Sequence, residues 1–144
     1  MADPIITLAD GVKDALNGAG LGFTSAVRDY LPTINRDELE DMQVFVIPAG
    51  ETIVAASRAS TAHDYVIDVG VIKPLSVGED NSFDKDELDA CRNTVNSIKQ
   101  WAKFKQVGTA SWQKTENDPL FIQEHLDTNR QFTSVVKLTF RDFH

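Results

Sequence analysis

Two long runs of alternating residues constrain the fold of this chain more than any other feature. The first run covers residues 43–73 and the second covers residues 130–143. In the second part of the first run, every second position from 63 to 71 carries an apolar or aromatic-ring residue: His63, Tyr65, Ile67, Val69 and Val71. The second run alternates in the same way through Phe132, Ser134, Val136, Leu138 and Phe140. A period of two over such lengths indicates β-strands with one face buried.

Length and composition indicate one domain, residues 1–144. Of the 144 residues, 42% are hydrophobic, which is enough for one core and little more. No stretch approaches the roughly 20 apolar residues of a membrane helix, and the first residues lack the regions of a signal peptide. We therefore expect no membrane association and a protein that stays where it is made. The single cysteine, Cys91, excludes an internal disulfide and a multi-cysteine metal site, which suits a reducing cytoplasm.

The charge balance argues against a nucleic-acid-binding protein. The chain has 14 basic and 22 acidic residues, a net charge of −8, whereas affinity for nucleic acid comes from Lys and Arg that neutralise phosphates. The simplest interpretation is that net acidity keeps the protein in solution. A surface along which DNA passes without adhering is still compatible with this charge.

The first half of the chain predicts one helix and about four strands. The helix is predicted over residues 8–16 and the first strand over residues 23–30. Pro48-Ala49-Gly50 predicts a turn that separates a strand over residues 43–47 from a strand over residues 51–58. The long alternating strand follows. Short connections between successive strands favour antiparallel pairing.

The second half predicts a helix and two strands. The helix is indicated by a 3-4-3-4 spacing of apolar residues, with Asn81 or Ser82 as its cap; these residues are Leu88, Cys91, Val95, Ile98 and Ala102. A strand over residues 109–115 places Ala110, Trp112 and Lys114 on one side, and residues 120–126 predict an irregular or short helical segment. We therefore expect an α+β fold, a mainly antiparallel sheet of about five or six strands with two helices packed on one face.

The histidines, the carboxylates and the cysteine do not form a catalytic pattern in sequence. Alternation places His63 on the opposite face from Asp64 and Asp68, which we expect to be solvated carboxylates. Cys91 lies on the apolar stripe of the second helix, where burial raises the pKa of a thiol and opposes activation. His125 follows Glu124 in a polar segment and has no adjacent partner. Groups that are distant in sequence can still meet in space.

Several short motifs are spread across most of the chain. They are Arg28-Asp29-Tyr30-Leu31-Pro32, residues 37–42, Val44-Phe45-Val46-Ile47-Pro48, residues 57–69, Glu116-Asn117-Asp118-Pro119-Leu120, Glu124-His125-Leu126 and residues 130–134. Together these motifs resemble one family, the tail terminator or tail completion proteins of long-tailed bacteriophages. The resemblance implies an antiparallel sheet that carries helices and no catalytic residue or cofactor. It also implies a hexameric ring that caps the tail tube and joins it to the head. Expected partners are therefore other copies of the chain, the tail tube protein, the head–tail connector proteins and DNA in transient passage.

Two regions are candidates for the surfaces of such a ring. The stretch around Thr52, Ile53 and Val54 is strand-like and carries little charge, and an edge of that kind needs a partner to avoid aggregation. Together with Arg58 it is the predicted subunit interface. The acidic groups at residues 38–41 and 79–89 are predicted to line the channel and to repel phosphate; the candidates are Glu38, Glu40, Asp41, Glu79 and Asp80.

Other functions remain open from the sequence. The closest is a head-side connector or stopper protein of the virion neck. From a different class, a small hydrolase would use His63 or His125. A non-viral binding module, such as a dimeric adaptor, is a third alternative.

Overall fold

A computed structural model describes residues 3–21, 26–30, 42–75, 84–129 and 131–144, without the side chains of residues 127–129. The described elements are three helices and one six-stranded sheet. The helices are α1 (Pro4–Gly18), α2 (Lys85–Ala102) and α3 (Gln123–Asn129). The strands are β1 (Ala26–Arg28), β2 (Gln43–Ala55), β3 (Thr61–Pro74), β4 (Gln106–Val107), β5 (Ala110–Glu116) and β6 (Gln131–Phe143). The predicted α+β class is confirmed.

The strands lie in the order β1-β2-β3-β6-β5-β4. All neighbours are antiparallel except β1 and β2, which are parallel, with Ala26 opposite Val44. Parallel neighbours need a crossover of a dozen or more residues, and residues 29–42 supply one. The central β3–β6 ladder runs from Ala62 opposite Phe143 to Pro74 opposite Gln131. The two alternating runs of the sequence are thus the two central strands, together with β2.

The prediction of a turn at Pro48-Ala49-Gly50 is wrong. Pro48 pairs with Ile67 and Gly50 with Val66, so Ala49 is an extra residue within one continuous strand. A β-bulge accommodates a proline that would disrupt a regular ladder. The extra residue also exchanges the two faces of β2. Val46 lies opposite Val69, whereas beyond the bulge the odd-numbered Ile53 lies opposite His63.

The buried core joins the apolar stripes of α1 and α2 to side chains from the central strands. In α2, the predicted residues Cys91, Val95, Ile98 and Ala102 are fully buried, and Leu88 packs against them. The predicted cap at Asn81 or Ser82 is wrong, because the Asp84 side chain accepts a hydrogen bond from the Asp86 amide, 2.9 Å away. Several polar residues in succession can each cap a helix, so the sequence does not distinguish among them.

Helix α1 begins earlier than predicted and is fastened to the first strand. Asp3 caps it by accepting from the Ile5 amide, and Pro4 occupies the first turn, where a missing N–H costs nothing. At the other end, the Asn17 amide group bonds to both main-chain groups of Ala26, at 3.1 and 2.6 Å. The start of β1 is therefore held against the end of α1. No described helix is long and apolar enough to cross a membrane.

The region after α2 contains one strand that was not predicted, β4, and corrects one further prediction. Helix α3 is the short helix that was one of the two expectations for residues 120–126, although it extends to Asn129. A second bulge lies in β5 between Trp112 and Lys114. Trp112 pairs with Phe140 of the buried set, but Lys114 pairs with Thr139. Lys114 therefore does not share a face with Ala110 and Trp112 as predicted.

Candidate functional site

The outer half of β2, residues 50–55, is an exposed strand. Parallel pairing with β1 covers only Val44 to Val46, and none of the described residues pairs with the outer edge of β2 beyond the bulge. Residues 51–55 are exposed on both faces. Ile53 and Val54 keep 55% and 49% of their surface in solvent. An apolar edge with unpaired main-chain groups can accept a further strand.

The turn after this edge is held by its own hydrogen bonds. The amides of Ala56 and Ser57 both donate to the Ser60 carbonyl at 3.2 Å, and the two serine hydroxyls lie 3.1 Å apart. The predicted strand over residues 51–58 ends at Ala55, because these bonds form a compact tip. Arg58 lies exposed at this tip, and no described carboxylate pairs with it.

The structure therefore brings Thr52, Ile53, Val54 and Arg58 together at one end of the β2–β3 hairpin. Their role at a subunit contact stays a prediction, because a single chain contains no partner. The predicted channel residues, Glu38, Glu40, Asp41, Glu79 and Asp80, lie outside the described residues.

A shallow groove of about 320 Å³ extends this exposed surface toward α1. Ile5 and Ile6 line one side, and the bulge residues 48–51 line the other. Tyr30 completes it, 62% exposed, with the Arg28 guanidinium 5.4 Å from the centre of its ring. The sequence did not indicate this groove, because it forms only where the bulge approaches the start of α1.

Two histidines that are far apart in the sequence meet near the tip of the β2–β3 hairpin. The rings of His63 and His144 stack 3.8 Å apart and nearly parallel. Main-chain hydrogen bonds in both directions join His144 to Thr61 at 3.1 Å. The Tyr65 hydroxyl lies 3.1 Å from His144 Nε2. The sequence does not show this contact directly, because the contact depends on the register in which β3 pairs with the end of β6.

Thr61, His63 and Glu51 have the residue types of a nucleophile, a base and an acid. Thr61 Oγ1 lies 2.7 Å from His63 Nε2, and His63 Nδ1 lies 3.4 Å from Glu51 Oε1. However, the Thr61 hydroxyl donates to the main-chain carbonyl of His144, which can only accept. His63 Nε2 must then be the donor to Thr61. A general base would need the opposite polarity, so this trio is not arranged for nucleophilic attack.

His125 is not brought to His63. Its Nδ1 bonds to Thr133 Oγ1 at 2.9 Å. Thr133 lies opposite Ile72 in the central ladder, nine positions from His63 along β3. At about 3.3 Å per residue the two positions are roughly 30 Å apart along the sheet. The described residues contain no group of three potential metal ligands.

Asp64 and Asp68 lie on the face opposite His63, but the expectation that both are solvated is wrong. Asp64 receives two hydrogen bonds from Arg141, at 2.7 and 3.0 Å, and they lower the pKa of its carboxyl. Asp68 Oδ1 is buried without a hydrogen-bond partner among the described residues, and burial raises the pKa of this carboxyl. The sequence shows that Asp64 and Asp68 share a face of the strand. It does not show how deeply each side chain is buried, and this burial increases from the hairpin tip toward the bulge.

Cys91 has the environment predicted for it. Its thiol is fully buried in the core, and burial raises its pKa. A neutral buried thiol is a small apolar group. The predicted burial of Cys91 and the raised pKa of its thiol are confirmed, and its role as an inert, structural residue stays a prediction.

A scan of this chain against protein-family models finds no match, and a search of curated proteins finds none either.

Proposed function

We propose that this chain is a structural subunit of a long-tailed bacteriophage, a tail terminator or tail completion protein. Six copies form a ring that caps the tail tube and joins it to the head. The chain is made in the host cytoplasm and becomes part of the virion tail or neck. Its partners are its own copies, the tail tube protein and the head–tail connector proteins, and its role requires no cofactor. The head-side connector or stopper is the neighbouring role that this proposal must be tested against.

The observation that carries the proposal is the bare outer half of β2. Two β-branched residues, Ile53 and Val54, are half exposed on opposite faces of a strand that has no described neighbour on its outer edge. Monomeric proteins usually protect such edges with charge, proline or a bulge. Here the bulge lies before the exposed part, and residues 52–55 carry no charge. A neighbouring subunit would cover it.

A cyclic ring uses this edge against a different surface of the next copy. Head-to-tail contacts of that type close when the rotation between subunits divides a full turn. Thr52, Ile53, Val54 and Arg58 would then lie at every subunit boundary. The motifs that resemble the tail terminator family support the same assembly, because they include residues 57–69 of the hairpin.

The second part of the proposal concerns the channel. Glu38, Glu40, Asp41, Glu79 and Asp80 are proposed to line it, where their charge repels DNA phosphates and keeps DNA from adhering during passage. The opposite arrangement would place Lys99, Lys103 and Lys105 in the channel. In that case the proposed inner and outer surfaces of the ring would be reversed.

The test is to assemble tail tubes in the presence of the chain. The tail tube protein from the same genome is polymerised with and without it, and the tubes are imaged by negative-stain electron microscopy. We expect a ring at one end of each tube and an arrest of further growth. Ile53→Glu should abolish the rings, whereas the matched control Lys13→Glu, on the surface of α1, should not. Tubes that grow without rings at any concentration of the chain would contradict the proposal, and rings that bind only the head connector would assign the stopper role.

A further inference from the structure

A second unpartnered edge lies on the other side of the sheet, beside a row of basic side chains. A groove of about 460 Å³ separates α2 from β5. From α2 it is lined by Asn96, Lys99, Gln100 and Lys103, and from β5 by Trp112, Gln113, Lys114 and Thr115. None of these residues belongs to the β2 edge or to the histidine cluster.

The helical wall of the groove carries positive charge. Asn96 and Lys99 are three positions apart on α2, and Lys103, the residue after the helix, lies four positions beyond Lys99. Burial, together with the charge of Arg92, lowers the pKa of Lys99. Arg92 is not among the residues that line the groove, and it donates to Asn117 Oδ1 at 3.0 Å. Among the described residues, no carboxylate forms an ion pair with Lys99 or Lys103, although the net charge of the chain is −8.

The opposite wall is a strand edge. β4 pairs with β5 only at Ala110 and Ser111, and the Trp112 amide donates to the Lys105 carbonyl at 2.9 Å. Beyond Trp112, none of the described residues pairs with the outer edge of β5. A strand added there would continue the line of β4, about 4.8 Å from β5. One face of that strand would lie toward Lys99 and Lys103.

Lys114 also lines the groove, but its ammonium group is paired with Glu116 at 2.8 Å, and the bulge at Gln113 places it opposite Thr139. The lysines of the groove without a described ion-pair partner are therefore Lys99 and Lys103. Trp112 is partly exposed at the floor of the groove, and its indole N–H donates to Thr115 Oγ1 at 2.8 Å.

We propose that this groove binds an extended acidic peptide segment of a partner protein, which pairs with the β5 edge and places its carboxylates on Lys99 and Lys103. Main-chain pairing supplies affinity and the lysines select acidic side chains at alternate positions. A peptide suits the site better than DNA does, because a strand edge offers amide groups to another backbone and the net charge of the chain repels phosphates. Peptide binding here does not depend on the proposed ring, because the groove lies at the edge of the sheet away from β2.

The test uses the full chain and a fluorescein-labelled heptapeptide that alternates glutamate and valine, titrated by fluorescence anisotropy at low salt. We expect saturable binding that shifts the NMR signal of the Trp112 indole. Replacing both lysines, as Lys99→Gln with Lys103→Gln, should weaken binding by at least about tenfold, because two charge-assisted contacts are lost. The matched control, Lys13→Gln with Lys85→Gln, removes the same charge outside the groove and should leave affinity unchanged.

Two further ligands test strand addition and selectivity for a peptide separately. The same peptide with alternate backbone nitrogens methylated should not bind, because it cannot add to a strand edge. A duplex DNA of equal charge should not displace the peptide. Equal affinity of the methylated peptide, displacement by DNA, or equal weakening by the two double substitutions would each overturn the proposal. Circular dichroism melts of both variants establish that they are folded.

Discussion

The two halves of β2 show how much a strand depends on its neighbours. In the inner half, residues 43–48, Val44 to Val46 pair with β1 on their outer edge, and Val44 and Val46 are fully buried in one cluster with the stripe of α1. Residues 50–55 keep the same antiparallel partner, β3, but have no described strand outside them. Both halves are apolar and β-branched, so intrinsic propensity does not separate them. The two halves differ in whether a described strand pairs with their outer edge. In the proposed ring, a neighbouring subunit would cover the outer half.

The largest expected effect comes from placing a charge in the inner half. Val46→Asp should prevent folding, because an unpaired carboxyl group in a core costs several kcal/mol even after it becomes protonated, and the lost valine packing adds to this, against the 5–15 kcal/mol or so by which a domain is stable. Urea titration followed by circular dichroism should show no cooperative transition. The same change in the outer half, Ile53→Asp, should leave the midpoint close to that of the unmodified chain. Equal loss of structure in both variants would show that the outer half is also part of the core.

A milder comparison uses two isoleucines that point to the same side of the sheet. Ile67 is fully buried opposite Pro48, and Ile53 is half exposed opposite His63. Ile67→Ala should lower the free energy of unfolding by about 2–5 kcal/mol. Ile53→Ala should change it by less than about 0.5 kcal/mol. Similar losses at the two positions, measured in the same urea titration, would contradict the assigned burial.

The smallest effects concern two carboxylates on the other face. Arg141 lowers the pKa of Asp64, so this group stabilises the fold above its unfolded pKa and loses that contribution as the pH falls through its folded pKa. Burial raises the pKa of Asp68, so its ionised form destabilises the fold as the pH rises through its folded pKa. The two neighbours therefore act in opposite directions near neutral pH.

Asparagine substitutions measure both contributions. At pH 7, Asp64→Asn should lower stability by about 1 kcal/mol or less, since the pair is partly exposed, whereas Asp68→Asn should raise it. The Asp68 difference should vanish as the pH falls from its raised folded pKa to about 4, where an unfolded aspartate becomes protonated, whereas the Asp64 difference should begin to shrink only below that pH. Thermal melts between pH 3 and pH 7 provide the readout. Differences of the same sign at pH 7 would refute the contrast in depth between these two positions.

The sequence predicted the parts of the fold that depend on periodicity. The stripe Cys91, Val95, Ile98 predicted α2, and the alternation of residues 63–71 and 132–140 predicted β3 and β6 with the buried side assigned correctly. These patterns extend over several turns or pairs, so one irregular residue does not obscure them.

The bulges account for much of what the sequence did not predict. Pro48-Ala49-Gly50 has the composition of a turn, and only the pairing of Pro48 and Gly50 with successive residues of β3 shows one strand. The bulge at Gln113 likewise moves Lys114 to another face. A bulge shifts the period by one residue, and its position depends on the partner strand. The same holds for the stacked His63 and His144, 81 positions apart, since ladder register brings them together.

The candidate subunit interface in β2 combines a feature that the sequence shows with one that depends on strand pairing. The low charge and β-branched character of residues 52–54 are visible in sequence, but their exposure is not, because it depends on where β1 stops pairing. The groove beside α2 was not predicted for a similar reason. The row of Asn96, Lys99 and Lys103 was present in the sequence, but it becomes informative only beside an unpaired strand.

The most direct test of the central claim is a cryo-electron microscopy reconstruction of tail tubes capped by this chain. The account predicts a six-fold ring in which Ile53 and Val54 are buried at every subunit boundary and Arg58 contacts the neighbouring copy. A six-fold ring in which these residues stay in solvent, far from every boundary, would contradict it.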